Sequence, residues 1–128
     1  MAFHRFLRGL LTTEPLYLYG DGKQTRDFTF VEDAIAATVA AGERGTLGGV
    51  YNVGGGSRVS LNETIEIMAH CTGLTPNVRH EPTQLGDMRD TFADTTRACT
   101  DLGFSPRVTL EDGINAEFQW LASIVAPD

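Results

Sequence analysis

The sequence predicts an α/β fold, a small mixed lobe of helices and short, separated strands. Three observations support this prediction. The chain has 128 residues, which suits one domain. Apolar residues recur with helical spacing in several stretches, and short β-branched or aromatic runs end at glycine-rich turns. A full doubly wound sheet needs several near-continuous apolar strands that alternate with helices, and the sequence contains only fragments of that pattern.

The first half of the chain begins with an amphipathic helix, because residues 3–11 place their apolar side chains on one helical face and Pro15 follows. A short strand over 16–19 stops at Gly20-Asp21-Gly22. The stretch 27–31 is a second strand candidate, and the alanine-rich stretch 32–41 is helical. Val50-Tyr51-Asn52-Val53 is a third strand candidate, which leads into three glycines.

The second half contains two helix starts of the capping-box type, at Ser60 and at Thr109, with an acidic residue three positions later in each. The first of these helices ends at Gly73. A strand candidate over 77–81 and a polar segment precede a short helix over 95–102. The last helix carries one apolar stripe, formed by Leu110, Ile114, Phe118, Leu121 and Val125.

The charge and the cysteine content narrow the function classes. The net charge of −7 disfavours binding to nucleic acid, whose phosphates an acidic chain repels. No apolar run approaches the roughly 20 residues that span a bilayer, so a soluble, cytoplasmic protein without membrane contact is expected. Cys71 and Cys99 are the only cysteines. They lack metal-ligand spacing, and they are expected to be reduced thiols.

Two stretches imitate known motifs. The stretch 42–48 matches a GxxGxxG pattern, but it follows a helix and precedes a strand, whereas a phosphate loop follows a strand and opens a helix. Tyr19 and Lys23 match a YxxxK pattern, but the glycines between them favour a turn over the helix that a catalytic pair needs. Neither stretch is therefore predicted to act in catalysis or cofactor binding.

Several motifs follow one another in a characteristic order. They read GDGKQTRDFTFVEDAIAA, GVYNVGGGSRVSLNE and GDMRDTFADTTRACTDLGFSPRVTLEDGI, with a tryptophan after them. This series, which spans the chain from its start to about Trp120, resembles the C-terminal portion of the NAD-dependent epimerase/dehydratase family, the extended short-chain dehydrogenases. Within that family, the pattern is most similar to nucleotide-sugar 4-epimerases, including UDP-glucuronate 4-epimerases.

The resemblance implies that residues 1–128 form a single nucleotide-sugar-binding lobe, the C-terminal part of an extended short-chain dehydrogenase without its Rossmann sheet. The cofactor loop and the catalytic tyrosine and lysine of the family have no counterpart here. The chain is therefore expected to be a fragment of a two-lobe enzyme and inactive alone. NAD is expected in the full-length enzyme and not on this chain. Epimerisation, dehydration and decarboxylation remain open as the reaction.

Five residues are candidates for substrate binding. In the family, the arginine that corresponds to Arg26 contacts the nucleotide-sugar diphosphate, which suits the planar guanidinium fork. Arg89 lies in a loop segment that the family uses similarly, and Gln84 stands where many relatives carry an arginine. The resemblance places the nucleotide base beside the strand that holds Tyr17 and Tyr19, whose rings offer stacking.

Each candidate also has a structural alternative. Arg26 is alternatively an ion-pair partner of Asp27 or Asp33, and the two tyrosines are alternatively half-buried strand residues. Asp33, Asp87 and Asp94 are interpreted as structural, as helix caps or turn residues.

Two alternatives to a substrate-binding lobe of an enzyme remain open for the chain. One is a stand-alone, non-catalytic nucleotide-binding module, and the other is a ligand-free structural remnant. A lobe without its Rossmann partner is expected to expose an apolar face, through which it can associate with itself.

Overall fold

Within residues 2–125, which the computed structural model describes, the chain forms five helices and four short strands. In chain order these are α1 (Ala2–Thr12), β1 (Leu16–Tyr19), β2 (Thr25–Asp27), α2 (Val31–Arg44), β3 (Arg58–Ser60), α3 (Leu61–Thr72), β4 (Val78–Glu81), α4 (Thr96–Leu102) and α5 (Leu110–Val125). Trp120, which follows the series of motifs, lies in α5. None of the helices there is both long enough and apolar enough to cross a membrane.

The strands of the described region pair into two separate two-stranded sheets. β1 and β4 are parallel, with Leu16 opposite Val78 and Tyr19 opposite Glu81. β2 and β3 are antiparallel, and Arg26 lies opposite Val59. The larger parallel sheet of a Rossmann domain is absent from residues 2–125, which agrees with the predicted small mixed lobe.

The main core lies where α1, α3 and α5 meet the inner face of β1. Helix periodicity puts every third or fourth side chain on that side, and the alternation of β1 points its leucines inward. Removing these side chains from water is the main stabilising contribution to the fold. The buried members are Phe6, Leu7, Leu10, Leu16, Leu18, Ile65, Met68, Ile114 and Leu121.

A second, smaller core joins α2 to α4 and the loop that follows α4. Its buried members are Ala37, Ala40, Ala98, Leu102 and Phe104. Most of these side chains are small, so the two helices can approach closely. Tyr51 and Val53 pack against the same cluster from the segment 50–53.

The predicted helix ends are confirmed where a cap was recognised. The Ser60 hydroxyl accepts a hydrogen bond from the Glu63 backbone N–H at 3.2 Å, and Gly73 closes α3 in the left-handed conformation with φ of 68°. At the start of α5, the Thr109 hydroxyl accepts from the Asp112 N–H at 3.1 Å.

Two strand predictions need correction. The second strand covers Thr25–Asp27 rather than 27–31, because the helix α2 already begins at Val31. The segment 50–53 is not part of any sheet among the described residues. Its β-branched composition predicts a strand, but a strand forms only where a neighbour accepts and donates the ladder hydrogen bonds.

Candidate functional site

The turn between β1 and β2 is held rigidly. Gly20 and Gly22 have φ of 75° and 71°, which side-chain-bearing residues rarely adopt. A Cβ atom on Gly22 would also collide with the Asn62 side chain. Asn62 fastens the turn to the start of α3, since its side-chain amide donates to the Asp21 carbonyl oxygen at 3.0 Å and its backbone N–H donates to the Gly22 oxygen at 3.0 Å.

The polar segment 83–94 runs beside β2 and brings the second arginine motif to the first. The Thr25 N–H donates to the Arg89 carbonyl oxygen at 2.9 Å, and the Thr91 N–H donates to the Thr25 oxygen at 3.2 Å. The Thr25 hydroxyl donates to the Asp90 carboxylate at 2.5 Å. These bonds join parts of the chain that are more than sixty positions apart, so Arg26 and Arg89 share one region of the surface.

Arg26 is the better fixed of the two arginines. Its Nη1 donates to the Thr25 carbonyl oxygen at 2.8 Å and to the Arg89 carbonyl oxygen at 3.4 Å, and its Nη2 donates to the Asp87 carboxylate. The Arg26 side chain is 22% exposed. Among residues 2–125, its Nε–H and one Nη2 hydrogen have no acceptor. The guanidinium is therefore pre-oriented and retains donors for a ligand.

Arg89 lies on the open surface, with its side chain 63% exposed. Its Nη1 is 3.3 Å from both carboxylate oxygens of Asp21, in the glycine turn. A hydrogen bond from the Lys23 backbone N–H lowers the pKa of Asp21, and the Arg89 charge adds to this effect. An exposed pair of this kind holds its partners weakly, so Arg89 is able to turn toward a ligand.

Tyr17 and Tyr19 lie on β1 and alternate with the core residues Leu16 and Leu18. Tyr17 is 41% exposed, whereas Tyr19 is half-buried. The Tyr19 carbonyl oxygen accepts a 2.8 Å bond from the buried side chain of Gln24, which closes the glycine turn from inside. Both rings therefore lie on the side of the sheet away from the core, at the strand that leads into the turn.

Gln84 begins a tight turn, in which the Asp87 N–H donates to the Gln84 carbonyl oxygen at 3.3 Å and Gly86 has φ of 88°. The side chain of Gln84 is exposed and makes no hydrogen bond within the described residues. This turn also positions the Asp87 carboxylate against the Arg26 guanidinium. The structure thus brings Arg26 and Arg89 together beside Asp21, while Tyr17 and Tyr19 lie on the strand that leads into that turn and Gln84 lies in the turn that carries Asp87.

The ion-pair partner of Arg26 differs from the two that the sequence suggested. Arg26 pairs with Asp87 and not with Asp27 or Asp33. The Asp27 carboxylate instead accepts from the backbone N–H groups of Gly55 and Ala93, at 2.8 and 3.2 Å. The Asp33 carboxylate accepts from the backbone N–H groups of Arg107 and Val108, in the loop before α5. Asp87 has the predicted role in a turn. The prediction that Asp33 caps its own helix is wrong, because α2 has no side-chain cap and the Asp33 carboxylate reaches a distant loop instead.

Two cavities of the described region are lined by residues other than these candidates. The larger, of about 870 Å³, is a groove between α1, α5 and the loops beside them, lined by apolar residues such as Phe3, Phe28 and Trp120. The smaller, of about 360 Å³, lies between Asp27, Gly54 and Phe92. Arg26, Arg89 and the two tyrosines line neither of these two cavities.

The glycine-rich loop after α2 lacks the geometry that an NAD pyrophosphate requires. The glycine-rich loop after α2 leads to the segment 50–53 and not to the first turn of a helix, so no helix N-terminus faces it. The Tyr19 and Lys23 pair spans the glycine turn rather than a helical turn. The described residues also contain no cluster of potential metal ligands.

Comparisons with known proteins identify relatives over nearly the whole chain. The model of the NAD dependent epimerase/dehydratase family matches residues 1–54. The UDP-glucose 4-epimerase of Mycolicibacterium smegmatis is 38% identical over 85% of this chain and 35% of its own length. The UDP-N-acetyl-alpha-D-glucosaminuronate decarboxylase of Bacillus cytotoxicus is 32% identical over 94% of this chain and 39% of its own length.

A solved structure extends the similarity to the fold. The UDP-glucuronic acid 4-epimerase of Bacillus cereus, in complex with UDP-glucuronic acid and NAD, superposes with a TM-score of 0.92 at 37% identity, over 97% of this chain. The chain spans 35–40% of the length of these three relatives. In sequence and in fold, the chain is therefore similar to the C-terminal lobe of the NAD-dependent epimerase/dehydratase family, the extended short-chain dehydrogenases, as its motifs indicated.

Proposed function

We propose that the chain is the nucleotide-diphosphate-sugar-binding part of an NAD-dependent sugar epimerase or dehydratase, and that a UDP-sugar 4-epimerase is the best specific candidate. The observation that carries this proposal is the pre-oriented Arg26, which retains unused donors beside a second arginine at a rigid glycine turn. The relative crystallised with UDP-glucuronic acid and NAD supports the choice of ligand. The decarboxylase among the relatives keeps the reaction type open.

Arg26 has the properties that a diphosphate ligand requires. A guanidinium stays charged at any working pH and donates in a fixed plane, which matches phosphate oxygens. The two backbone carbonyls and Asp87 already fix its orientation, so little side-chain entropy remains to be lost on binding. Arg89 supplies a second positive charge by leaving Asp21, and Gln84 supplies a neutral donor at the edge of the site.

The two tyrosines fit the other end of such a ligand. Tyr17 exposes its ring on the side of β1 away from the core, and Tyr19 follows two positions later on the same side. A flat base that lies along this strand would stack on an aromatic ring and bond to backbone groups. The lobe would thus hold the nucleotide, and that binding energy would position the sugar for chemistry elsewhere.

NAD binding and the catalytic groups belong to the other lobe in this proposal, because the described residues contain no glycine-rich loop that leads from a strand directly into the first turn of a helix. The partners are therefore a nucleotide-sugar and an NAD-binding lobe, and neither nucleic acid nor a membrane. The cytoplasmic location remains a prediction, which the free thiols of Cys71 and Cys99 favour.

Calorimetric titration of the chain with UDP and with UDP-glucuronic acid tests the proposal. We expect saturable binding, and we expect Arg26→Ala to weaken it by about 1.5–3 kcal/mol, the contribution of a charge-assisted hydrogen bond. Arg8→Ala is the matched control, because it removes the same charge from an exposed position of α1. Uridine separates the phosphate role from a structural one, since its weaker binding should not depend on Arg26.

Absence of saturable UDP binding would leave the ligand-free remnant as the correct description. Equal effects of the Arg26 and Arg8 substitutions would refute the phosphate role of Arg26. If UDP does bind, the intact mass of the gene product in its native cell separates the other two descriptions. A mass near the 13.9 kDa of this chain favours a stand-alone binding module, and a much larger mass favours a lobe of an enzyme.

A further inference from the structure

Gln24 is one of three buried polar side chains in the described part of the chain. It is 6% exposed, and the other two are Asp33 and Thr64. Asp33 binds a distant loop, and Thr64 donates to a carbonyl oxygen at the start of its own helix. The Gln24 amide instead donates to a strand, at the Tyr19 carbonyl oxygen, at 2.8 Å. A buried amide is costly unless it is hydrogen-bonded, so this contact fixes the position of the side chain.

The backbone of β1 bonds to β4 along one edge only. The N–H groups of Leu16 and Gly20 donate to carbonyl oxygens of the β4 segment, at 2.8 and 2.9 Å. Because successive residues of a strand turn their N–H and C=O groups to opposite edges, those of Tyr17 and Tyr19 point the other way. Among residues 2–125, no strand pairs with that outer edge. It therefore presents the backbone groups of the two tyrosines.

Four backbone groups lie on this outer edge, an N–H and a C=O from each tyrosine. The Gln24 amide occupies the C=O of Tyr19. The Tyr17 N–H, the Tyr17 C=O and the Tyr19 N–H make no hydrogen bond within the described residues. An unpaired strand edge of this kind binds a group that supplies the matching donors and acceptors.

The Gln24 contact leaves one acceptor, the Tyr17 C=O, followed by one donor, the Tyr19 N–H, on this edge within the described residues. A base that carries a ring N–H beside a carbonyl, as uracil and thymine do, matches this pair. From this arrangement we infer that Gln24 is a positioning residue, which holds the outer edge of β1 in the form that such a base recognises. The inference rests on the proposed function, because it concerns the nucleotide of the same ligand.

The surroundings of Gln24 suit this role. Its own carbonyl oxygen accepts from the Leu61 N–H at 3.2 Å, so Gln24 is anchored to the start of α3. Gly20 and Gly22 reverse the chain between β1 and Gln24, which brings the amide back to the end of the strand. Without the amide, the end of β1 would have no neighbour on its outer edge. The base thus meets an edge that is already ordered, which lowers the entropic cost of binding.

Two ligands and two variants test the inference by calorimetric titration. UDP and its N3-methyl derivative differ only at the ring N–H that we assign to the Tyr17 C=O. Gln24→Met removes the amide with little change in volume, and Gln119→Met is the matched control at an exposed position of α5. We expect the parent chain and the control to bind UDP at least about tenfold more tightly than the methyl derivative, because one hydrogen bond is lost.

Gln24→Met should weaken UDP binding at least about tenfold and abolish the preference over the methyl derivative, because the edge is no longer held for the base. Binding of inorganic pyrophosphate, which contacts Arg26 and carries no base, should stay unchanged. This ligand separates the positioning of the base from a general loss of structure, which would weaken the binding of both.

Gln24→Glu is a second variant, which serves if the apolar side chain prevents folding. Its ionised carboxylate has no donor for the Tyr19 carbonyl oxygen, whereas its protonated form has one. The preference for UDP over the methyl derivative should therefore be absent at about pH 8 and return toward about pH 5, since a buried carboxyl is protonated at higher pH than an exposed one. The preference of the parent chain should not change over this range.

Three results would each overturn the inference. These are equal binding of UDP and the methyl derivative by the parent chain, a preference that survives in Gln24→Met, and an equal loss of UDP and pyrophosphate binding in that variant. None of them affects the phosphate role of Arg26, which the Arg26→Ala titration tests by itself. Absence of UDP binding by the parent chain would instead refute the proposed function, and the role of Gln24 with it.

Discussion

The carboxylate of Asp33 is predicted to be one of the largest single polar contributions to the stability of this chain. Asp33 is 4% exposed, and its two oxygens accept from the backbone N–H groups of Arg107 and Val108, at 3.0 and 3.2 Å. These bonds join α2 to the loop before α5, across more than seventy positions. A buried carboxylate that accepts two N–H groups replaces the water that both would otherwise bind.

The substitution Asp33→Asn gives a magnitude that can be worked out from these contacts. Asparagine retains one acceptor oxygen and turns an NH₂ group toward the other donor, so one charge-assisted bond is lost and one N–H is left buried. Each of these changes costs about 1–3 kcal/mol, and partial relaxation limits the sum to about 2–3 kcal/mol. For a chain of this size, that corresponds to a fall of about 6–15 °C in the melting temperature.

Calorimetric melting of Asp33→Asn beside Glu32→Gln is the appropriate assay. Glu32 is the preceding residue in the same helical turn, and it is exposed, so its substitution removes the same charge without the buried bonds. The Glu32 variant should change the melting temperature by no more than about 2 °C, as surface substitutions usually do. A fall for Asp33→Asn that does not exceed the fall for Glu32→Gln would refute the reasoning.

Three further predictions follow from the fold. Gly55→Ala should destabilise the chain by at least about 2 kcal/mol in urea unfolding, because a Cβ atom there would collide with the Phe28 carbonyl oxygen. Gly42→Ala, in open space on α2, should instead stabilise the chain by up to about 1 kcal/mol, and equal effects of the two substitutions would contradict the close packing at Gly55. Burial raises the pKa of Cys71, so iodoacetamide should label the exposed Cys99 first, and peptide mass spectrometry showing the opposite order would disprove this. Hydrogen bonds from Thr96 lower the pKa of Asp94, so the stabilisation by the Asp94 carboxylate should be present above the unfolded-state pKa and disappear as the pH falls through the folded-state pKa. An NMR titration midpoint of Asp94 at or above 3.8 would exclude these hydrogen bonds to Thr96.

The local structure of this chain could be predicted from the sequence where the cause is itself local. The capping hydroxyl of Ser60 and the left-handed Gly73 act within one turn of their helix, so their residue types indicate the ends of α3. The alternation of tyrosine and leucine in β1 likewise decides which side chains enter the core. The glycine turn beside Arg26 belongs to the same class, since only glycine readily adopts its backbone angles.

Long-range contacts decided which residues pair with one another. Asp27, Asp33 and Asp87 are equivalent as carboxylates, and only the path of the chain assigns Asp87 to Arg26, sixty-one positions away, and the other two to backbone N–H groups. The segment 50–53 shows the same limit, because strand-forming residues make a strand only when a neighbour completes the ladder. The sequence by itself determined the helices, the turns and the types of residue at the site. The tertiary structure decided the partners, because hydrogen bonds and ion pairs depend on distances between residues far apart in the chain.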